Sequence, residues 1–400
     1  MLTKYRNLPA TVWVLFFSRL INNMGNFIAP FMTLLLTTRY GFSIQTAGWV
    51  VMTVSAVGLV GSMFGGKIAD QFGRRKAFLL FSTLTAASMF VAGFAGKAEW
   101  VAFFLILRSF FGGISGPFIN TIVTDVTKED ERTEAFSLMY IALNIGYAVG
   151  PLLAGLLFAS YTKVLFFGDG ATTLLSVLLV ARFVPETKPT VEEVEESAEV
   201  LGEDLSLWQL MVQKPSFLWF CFWIMGLFFV FSQFNFGLPL QVESIFGLEG
   251  AKLYGGLMTI NAVMCSVLTV FINSYLSRFS AATNIAMASL FYMVGFGMLG
   301  VVTSIAGFVL STVLWTIGEI IIATNTNVYI ANHAPVTHRG RFNAIFPVIR
   351  RVGFILGPPF AGWMSGLRGL EHVWLVNGFV ALIIAMGMFR LKKDSSSTSS

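Results

Sequence analysis

An all-α, polytopic membrane protein, with twelve transmembrane helices in two pseudo-symmetric six-helix bundles, is the fold class this sequence predicts. Three observations predict it. Of the 400 residues, 56% are hydrophobic and 12% charged, where a soluble domain carries about 25% charged residues; the mean hydropathy is +0.75. The apolar residues fall into stretches near the roughly 20 residues that cross a bilayer. The two halves of the chain repeat each other at an offset of 207 residues.

The spans read, in order, 12–37, 44–69, 76–96, 99–122, 135–160, 163–184, 216–241, 251–277, 281–303, 305–330, 341–366 and 370–390. The first is longer than the roughly 7–15-residue apolar core of a signal peptide and is expected to be span 1. Most connections are short. The exception, 185–215, carries the acidic run VEEVEESAEVLGED and is expected to be a solvated linker. It separates an N-terminal bundle, 1–184, from a C-terminal bundle, 216–392, and 393–400 is expected to be a disordered tail. With the N-terminus inside, seventeen lysines and arginines face the inner side and five the outer. Inner loops carry the excess of basic residues, so both termini and the linker are expected in the cytoplasm, with the chain in the inner (cytoplasmic) membrane.

The repeat is specific. Asn120, Arg132, Gly146, Gly150, Pro151 and Gly155 recur as Asn327, Arg339, Gly353, Gly357, Pro358 and Gly362, and Asp125 faces Asn332. The pattern R-x13-G-x3-G-P-x3-G sets span 5 opposite span 11. Two six-span repeats in the same order are related by an axis along the membrane normal, with a midplane cleft between them. The expectation is transport by alternating access.

Composition also excludes. The net charge of +5 comes from basic residues at helix ends, so no nucleic-acid partner is expected. Cys221 and Cys265 lie inside apolar runs and offer no disulfide framework. There is no nucleotide loop and no metal cluster, and His333, His338 and His372 lie at or near membrane surfaces. An enzyme is not expected, nor a cofactor or metal; the expected partners are a small-molecule substrate and the lipid bilayer, with the chain a monomer.

A charged residue at mid-bilayer costs at least about 2.5–3.5 kcal/mol and is a functional hypothesis by default. Glu319, near the middle of span 10, is the first choice for proton coupling: burial favours the neutral acid and a nearby arginine favours the carboxylate. Arg108, mid-span 4, is expected as a partner or tuner of a coupling group, or as a buried hydrogen-bond anchor. Arg19, beside Asn22 and Asn23, is a candidate to hold a substrate anion, or it snorkels to the interface. Arg350 shares a helical face with Gly353 and Gly357; which of Arg350 and Arg351 lines the path is open. Asp169, in the outer part of span 6, is as readily a solvated acid as a functional one. Span 7, FLWFCFWIMGLFFVFSQFNFGLPL, offers aromatics for an apolar pocket with Gln233 and Asn235 as polar contacts.

The bend GKIADQFGRRK resembles the G-x-x-x-D-x-x-G-R-[RK] signature of the major facilitator superfamily, at Gly66, Asp70, Gly73, Arg74 and Arg75. LRSFFGG resembles its span-4 motif at Arg108 and Gly112, GYAVGPLLAG the span-5 motif of its proton-coupled exporters, and GEI around Glu319 a feature of some bacterial multidrug exporters. The resemblance covers essentially the whole chain. It implies the major facilitator fold and protons as the coupling ion. It also implies that Asp70 meets the N-terminus of span 11, where a helix dipole attracts an acid. Arg74 and Arg75 then pair with Asp125 as an inner latch; the alternative is an orientation signal alone. Gly66 is expected to let another helix approach. Gly146, Gly150, Pro151 and Gly155, with Gly353, Gly357 and Pro358, suit close helix packing, with or without a coupling role. Exporters of cationic drugs often carry acids where this chain has Met139 and Asn235, which leaves neutral, zwitterionic or anionic cargo open. The main expectation is proton-coupled efflux of small amphipathic compounds or drugs; the alternatives are an importer or facilitator of one metabolite, and a receptor or scaffold that transports nothing.

Overall fold

The computed structural model describes Tyr5, 8–187, 215–333 and 339–397; the side chains of Asp70, Leu248, 331–345 and 392–397 lie outside that description. Helices form every regular element among the described residues. Span 2 is Ile44–Phe72, span 3 Arg74–Phe94, span 4 Ala98–Val126, span 5 Arg132–Phe158 and span 6 Thr162–Phe183. Span 8 is Leu248–Leu276, span 9 Ala281–Gly297, span 10 Ile305–His333, span 11 Arg339–Arg368 and span 12 Leu370–Ser397. Span 12 therefore continues past residue 393, where a disordered tail was expected. Lysine and serine in that stretch tolerate helix, and 398–400 lie outside the described residues.

Among the described residues, ten helices are long and apolar enough to cross a membrane. The other two of the twelve are spans 1 and 11. Span 11 carries Arg339, Arg341, Arg350 and Arg351, which lowers its hydropathy. Span 1, expected as one helix, is broken into Ala10–Met24 and Ile28–Leu34, followed by a π-turn over Leu35–Arg39. Pro30 supplies the reason. It has no N–H to bond back to residue 26, and it sits in the first turn of the second half-helix, where a missing N–H costs least. The chain therefore stops at Gly25 and starts again at Ile28. Span 7 breaks in the same way, into Pro215–Phe231, a 3₁₀ turn over Ser232–Phe234, and Gly237–Phe246.

These breaks carry the repeat further than the glycine pattern did. Gly25–Phe27 and Ser232–Phe234 lie 207 residues apart. So do both ends of spans 4 and 10, and the starts of spans 3 and 9 and of spans 5 and 11.

The chain forms two compact units. The first comprises Met1–Phe42, Thr53–Glu203 and Tyr254–Ala262; the second comprises Ser43–Met52, Asp204–Leu253 and Val263–Ser400. Each unit thus takes a short piece of a helix from the opposite half of the sequence, which a division at the linker does not anticipate. In the first unit a Cβ on Gly255 would lie 2.5 Å from the Pro151 carbonyl oxygen, and the Thr259 hydroxyl donates to the Ala148 carbonyl at 2.8 Å. In the second, a Cβ on Gly48 would lie 2.7 Å from the Pro358 carbonyl oxygen. Gly48 and Gly255 are themselves repeat partners.

The core of the first unit is mainly aliphatic where spans 1, 4, 5 and 6 meet, around Val12, Leu15, Ile122, Leu138 and Val180, with the rings of Phe78 and Phe118 among them. The second is built on rings: Phe231 stacks on Tyr292 with centroids 5.9 Å apart, and Phe296 stacks on both Trp315 and Trp374.

Candidate functional site

In the first unit the charges gather at the break in span 1. Asp169 of span 6 is 2% exposed; the position that sequence left open between solvated and functional is interior. Arg108 of span 4 donates from Nη2 to both carboxylate oxygens, at 3.2 and 3.1 Å, and to Asn26 Oδ1 at 2.9 Å. The backbone N–H of Ile28, the first residue of the second half-helix, points at Asp169 Oδ2 from 3.4 Å. A carboxylate there faces the positive end of a helix, which favours the charge. Two close approaches fix the geometry. A Cβ on Gly25 would overlap the Thr172 side chain, and one on Gly168 would lie 2.7 Å from the Phe27 ring. One turn earlier in span 1, Asn22 Nδ2 reaches Thr173 Oγ1 at 3.3 Å, and Thr173 donates back to the Asp169 carbonyl.

Arg19 lies further along span 1 and donates to Asn120 Oδ1 at 2.9 Å. The Asn23 amide turns to the Arg19 carbonyl. Arg19, Asn22 and Asn23, grouped by sequence, therefore turn to three different partners. Asn120 is the residue sequence flagged only as a repeat position.

In the second unit, Glu319 is half-buried. The Cys265 thiol of span 8 approaches its Oε2 at 3.7 Å, and Tyr292 and Arg350 lie within electrostatic range. Arg350 also places its guanidinium carbon 4.5 Å above the Phe228 ring, a cation–π contact. Arg351 is exposed. Within its own unit, the acid of Arg108 is Asp169. Sequence offered that partner only as one charged residue in an otherwise apolar span.

Span 7 keeps one expectation and alters another. Phe222, Trp223 and Phe229 line an apolar pocket of about 330 Å³ with Gly353, Leu356 and Ile384. Gln233 and Asn235 do not line it. Gln233 is fully buried, with Nε2 3.4 Å from Ser232 Oγ. It is held there because Gly357 of span 11 lets the broken turn approach, and a Cβ on Gly357 would lie 3.0 Å from Gln233 Nε2.

The repeated glycines do the same work in each unit. Gly146 and Gly150 take the span-1 backbone at Asn23 and Met24; Gly353 and Gly357 take the span-7 backbone at Met225 and Phe229. Pro151 and Pro358 are buried beside them, as is Gly155.

Where spans 2 and 3 join in the first unit, Arg74 pairs with Asp125, and Arg75 donates to the Ala181 carbonyl. Gly73 has φ +89° and starts span 3. The side chain of Asp70 lies outside the described residues. Glu186, which sequence reasoning missed, accepts from the backbone N–H of Arg75 at 3.0 Å and of Lys76 at 3.1 Å. An acid just after an apolar span was its only signal. Gly66 is a correction: a Cβ there meets nothing within 4 Å. The close approach belongs to Gly65, whose Cβ would lie 2.7 Å from the Ile114 carbonyl oxygen, because only that residue's helical face meets span 4.

Comparison with known proteins bears on the whole chain. The family model for the Major Facilitator Superfamily matches residues 15–350 and 308–400. Among curated relatives, the chain is 22% identical to a Na(+), Li(+), K(+)/H(+) antiporter of Planococcus maritimus, over 91% of this chain and 92% of that one. It is 24% identical to Multidrug resistance protein 2 of Bacillus subtilis, over 88% and 87%. Its fold is similar to the crystal structure of a POT family transporter in complex with 5-aminolevulinic acid, with a TM-score of 0.80 over 94% of this chain and 95% of that one, at 15% identity.

Proposed function

The chain belongs to the Major Facilitator Superfamily and is a membrane transporter, not an enzyme; we propose that it exports small amphipathic compounds or drugs in exchange for inward-moving protons, by alternating access. The observation that carries this reading is that each unit holds an acid and an arginine inside its membrane stretch: Asp169 with Arg108, and Glu319 with Arg350 in range. Such charges are expensive in lipid and persist where they do work. Two relatives point the same way, one named for cation/proton antiport and one for multidrug resistance.

Glu319 is the proton carrier of this reading. A carboxyl held between burial and a nearby arginine loads a proton on one side and yields it on the other. The driving force suffices: a charge crossing 100 mV gains about 2.3 kcal/mol, and one pH unit adds about 1.4 kcal/mol. Arginines outnumber acids within the spans, which favours neutral, zwitterionic or anionic cargo. The apolar pocket of span 7 supplies a surface for a greasy moiety. The Arg74–Asp125 pair serves as an inner latch, the basic-residue asymmetry puts both termini in the cytoplasm, and the chain works as a monomer with no cofactor beyond protons.

Reconstituted vesicles with an imposed pH gradient test the reading. A panel of dyes and drugs is followed in wild type and Glu319→Gln. Gradient-driven extrusion in wild type that the variant loses is the expected result. Uptake of one metabolite that ignores the gradient would replace export with facilitated import.

A further inference from the structure

The Arg108–Asp169 pair shows three features that packing alone does not require. Its carboxylate is interior, at 2% exposure, and a buried ion pair is weak evidence for stability. It ties the break in span 1 to the half-helix that follows, through Asn26 Oδ1 within the break and the Ile28 N–H at the start of that half-helix. And the second unit builds the same place without charge. The residues 207 positions on from Arg108, Asp169 and Asn26 are Trp315, Val376 and Gln233. Trp315 and Gln233 are both fully buried. A broken helix that closes around a tryptophan shows that this architecture stands without an ion pair.

We propose that Asp169 is a second proton-loading carboxylate of the transport cycle, and that the broken turn of span 1 is the element its protonation moves. This rests on the proton-coupled reading above. Loading transfers a proton from water to one carboxylate oxygen; an O–H bond forms and the negative charge is cancelled. Arg108 then loses its ion pair, and the Ile28 N–H faces a neutral acceptor. Charge-assisted hydrogen bonds are roughly twice as strong as neutral ones, so the Ile28 tie and the Arg108–Asp169 link weaken together, and Arg108 is left on Asn26. Unloading to the other side restores them.

Among the described residues, Arg108 of span 4 is the charge that faces Asp169. Span 3 has no titratable residue between Ala77 and Phe94. Span 1 brings Asn22 and Asn26; its Arg19 is engaged by Asn120, and Arg39 past its end donates to the Phe158 carbonyl. Span 5 contributes Tyr140 and Tyr147, both exposed. On span 6 itself, Lys163 and Arg182 lie at opposite ends. The site therefore has one acid and one base.

The test is pH-difference infrared spectroscopy of the full chain in lipid, reading the protonated-carboxyl band, in wild type, Asp169→Asn, Asp169→Glu and Glu319→Gln. A component that titrates in wild type and in Glu319→Gln, disappears in Asp169→Asn and shifts in Asp169→Glu is expected. A titration identical in wild type and Asp169→Asn overturns the proposal. If Asp169→Asn does not fold, an unshifted band in Asp169→Glu overturns it equally. The same proteins are then assayed in vesicles with rhodamine B, a zwitterionic amphipathic dye. Gradient-driven accumulation is expected to be lost in Asp169→Asn, while rhodamine exchange without a gradient continues. Wild type that moves no rhodamine against a gradient counts against the export reading, and the infrared result still decides Asp169.

Discussion

Gly73 and Glu186 show how a single position gains meaning from a distant one. Span 3 begins directly after Gly73, whose φ of +89° is a region that L side chains rarely adopt. That turn aims the free N–H groups of Arg75 and Lys76 at the Glu186 carboxylate, which acts as a remote N-cap and sits at the positive end of the helix dipole. The signature of the bend was legible as local sequence. Its acceptor was not, because Glu186 lies 111 residues from Arg75 and no periodicity links them. Beside this cap, Arg74 and Asp125 pair between spans 3 and 4. If the pair matters as a pair, Arg74→Asp and Asp125→Arg should each abolish most transport, and the double exchange should recover part of it. A double-mutant cycle on vesicle flux isolates that interaction from each residue's other contacts. No recovery in the exchanged protein would reduce the pair to an orientation signal.

Elements are shaped here by where helices stop and where glycines let them touch. Hydropathy counts apolar residues and is blind to a missing N–H, so span 1 read as continuous although Gly25 and Pro30 were visible. The glycine positions of spans 5 and 11 were legible because the repeat doubled the signal; Gly65 was not, because Gly66 next to it fits the family signature better. The structure separates the two by contact. A Cβ on Gly353 would overlap the Met225 carbonyl, and one on Gly113 would overlap the Gly58 carbonyl, whereas Gly66 faces open space. Backbone cannot move aside as a flexible side chain can. Gly353→Ala and Gly113→Ala should therefore each destabilise the protein by about 1–3 kcal/mol, the usual range for overpacking. Gly66→Ala should be neutral or stabilising by up to about 1 kcal/mol, from helix propensity. Thermal unfolding in detergent measures all three. Equal melting temperatures across the set would remove close approach as the reason for the glycines of spans 4 and 11.

The whole chain is one six-span pattern written twice and charged differently each time. Glu319, Cys265 and Arg350 of the second half fall where the first has Gly112, Gly58 and Leu143; Arg108 and Asp169 of the first fall where the second has Trp315 and Val376. The backbone tolerates either version, so the charges are additions to the fold and not conditions of it. The twelve spans and the fold were legible because a bilayer imposes length and apolarity on every crossing. The pairing of Arg108 was not legible, because which acid meets which arginine depends on three-dimensional proximity; sequence named it only as partner to a coupling group, and its own unit gives it Asp169. This division makes a quantitative demand. If Asp169 and Glu319 load protons in a single cycle, removing either carboxyl already uncouples transport from the gradient. Asp169→Asn combined with Glu319→Gln should then be no worse than the poorer single variant, a strongly non-additive result of the kind seen when groups act as a unit. If the two sites work separately, their losses should multiply. Initial rates of gradient-driven rhodamine B accumulation in wild type, both singles and the double, at equal protein per vesicle, distinguish one cycle from two.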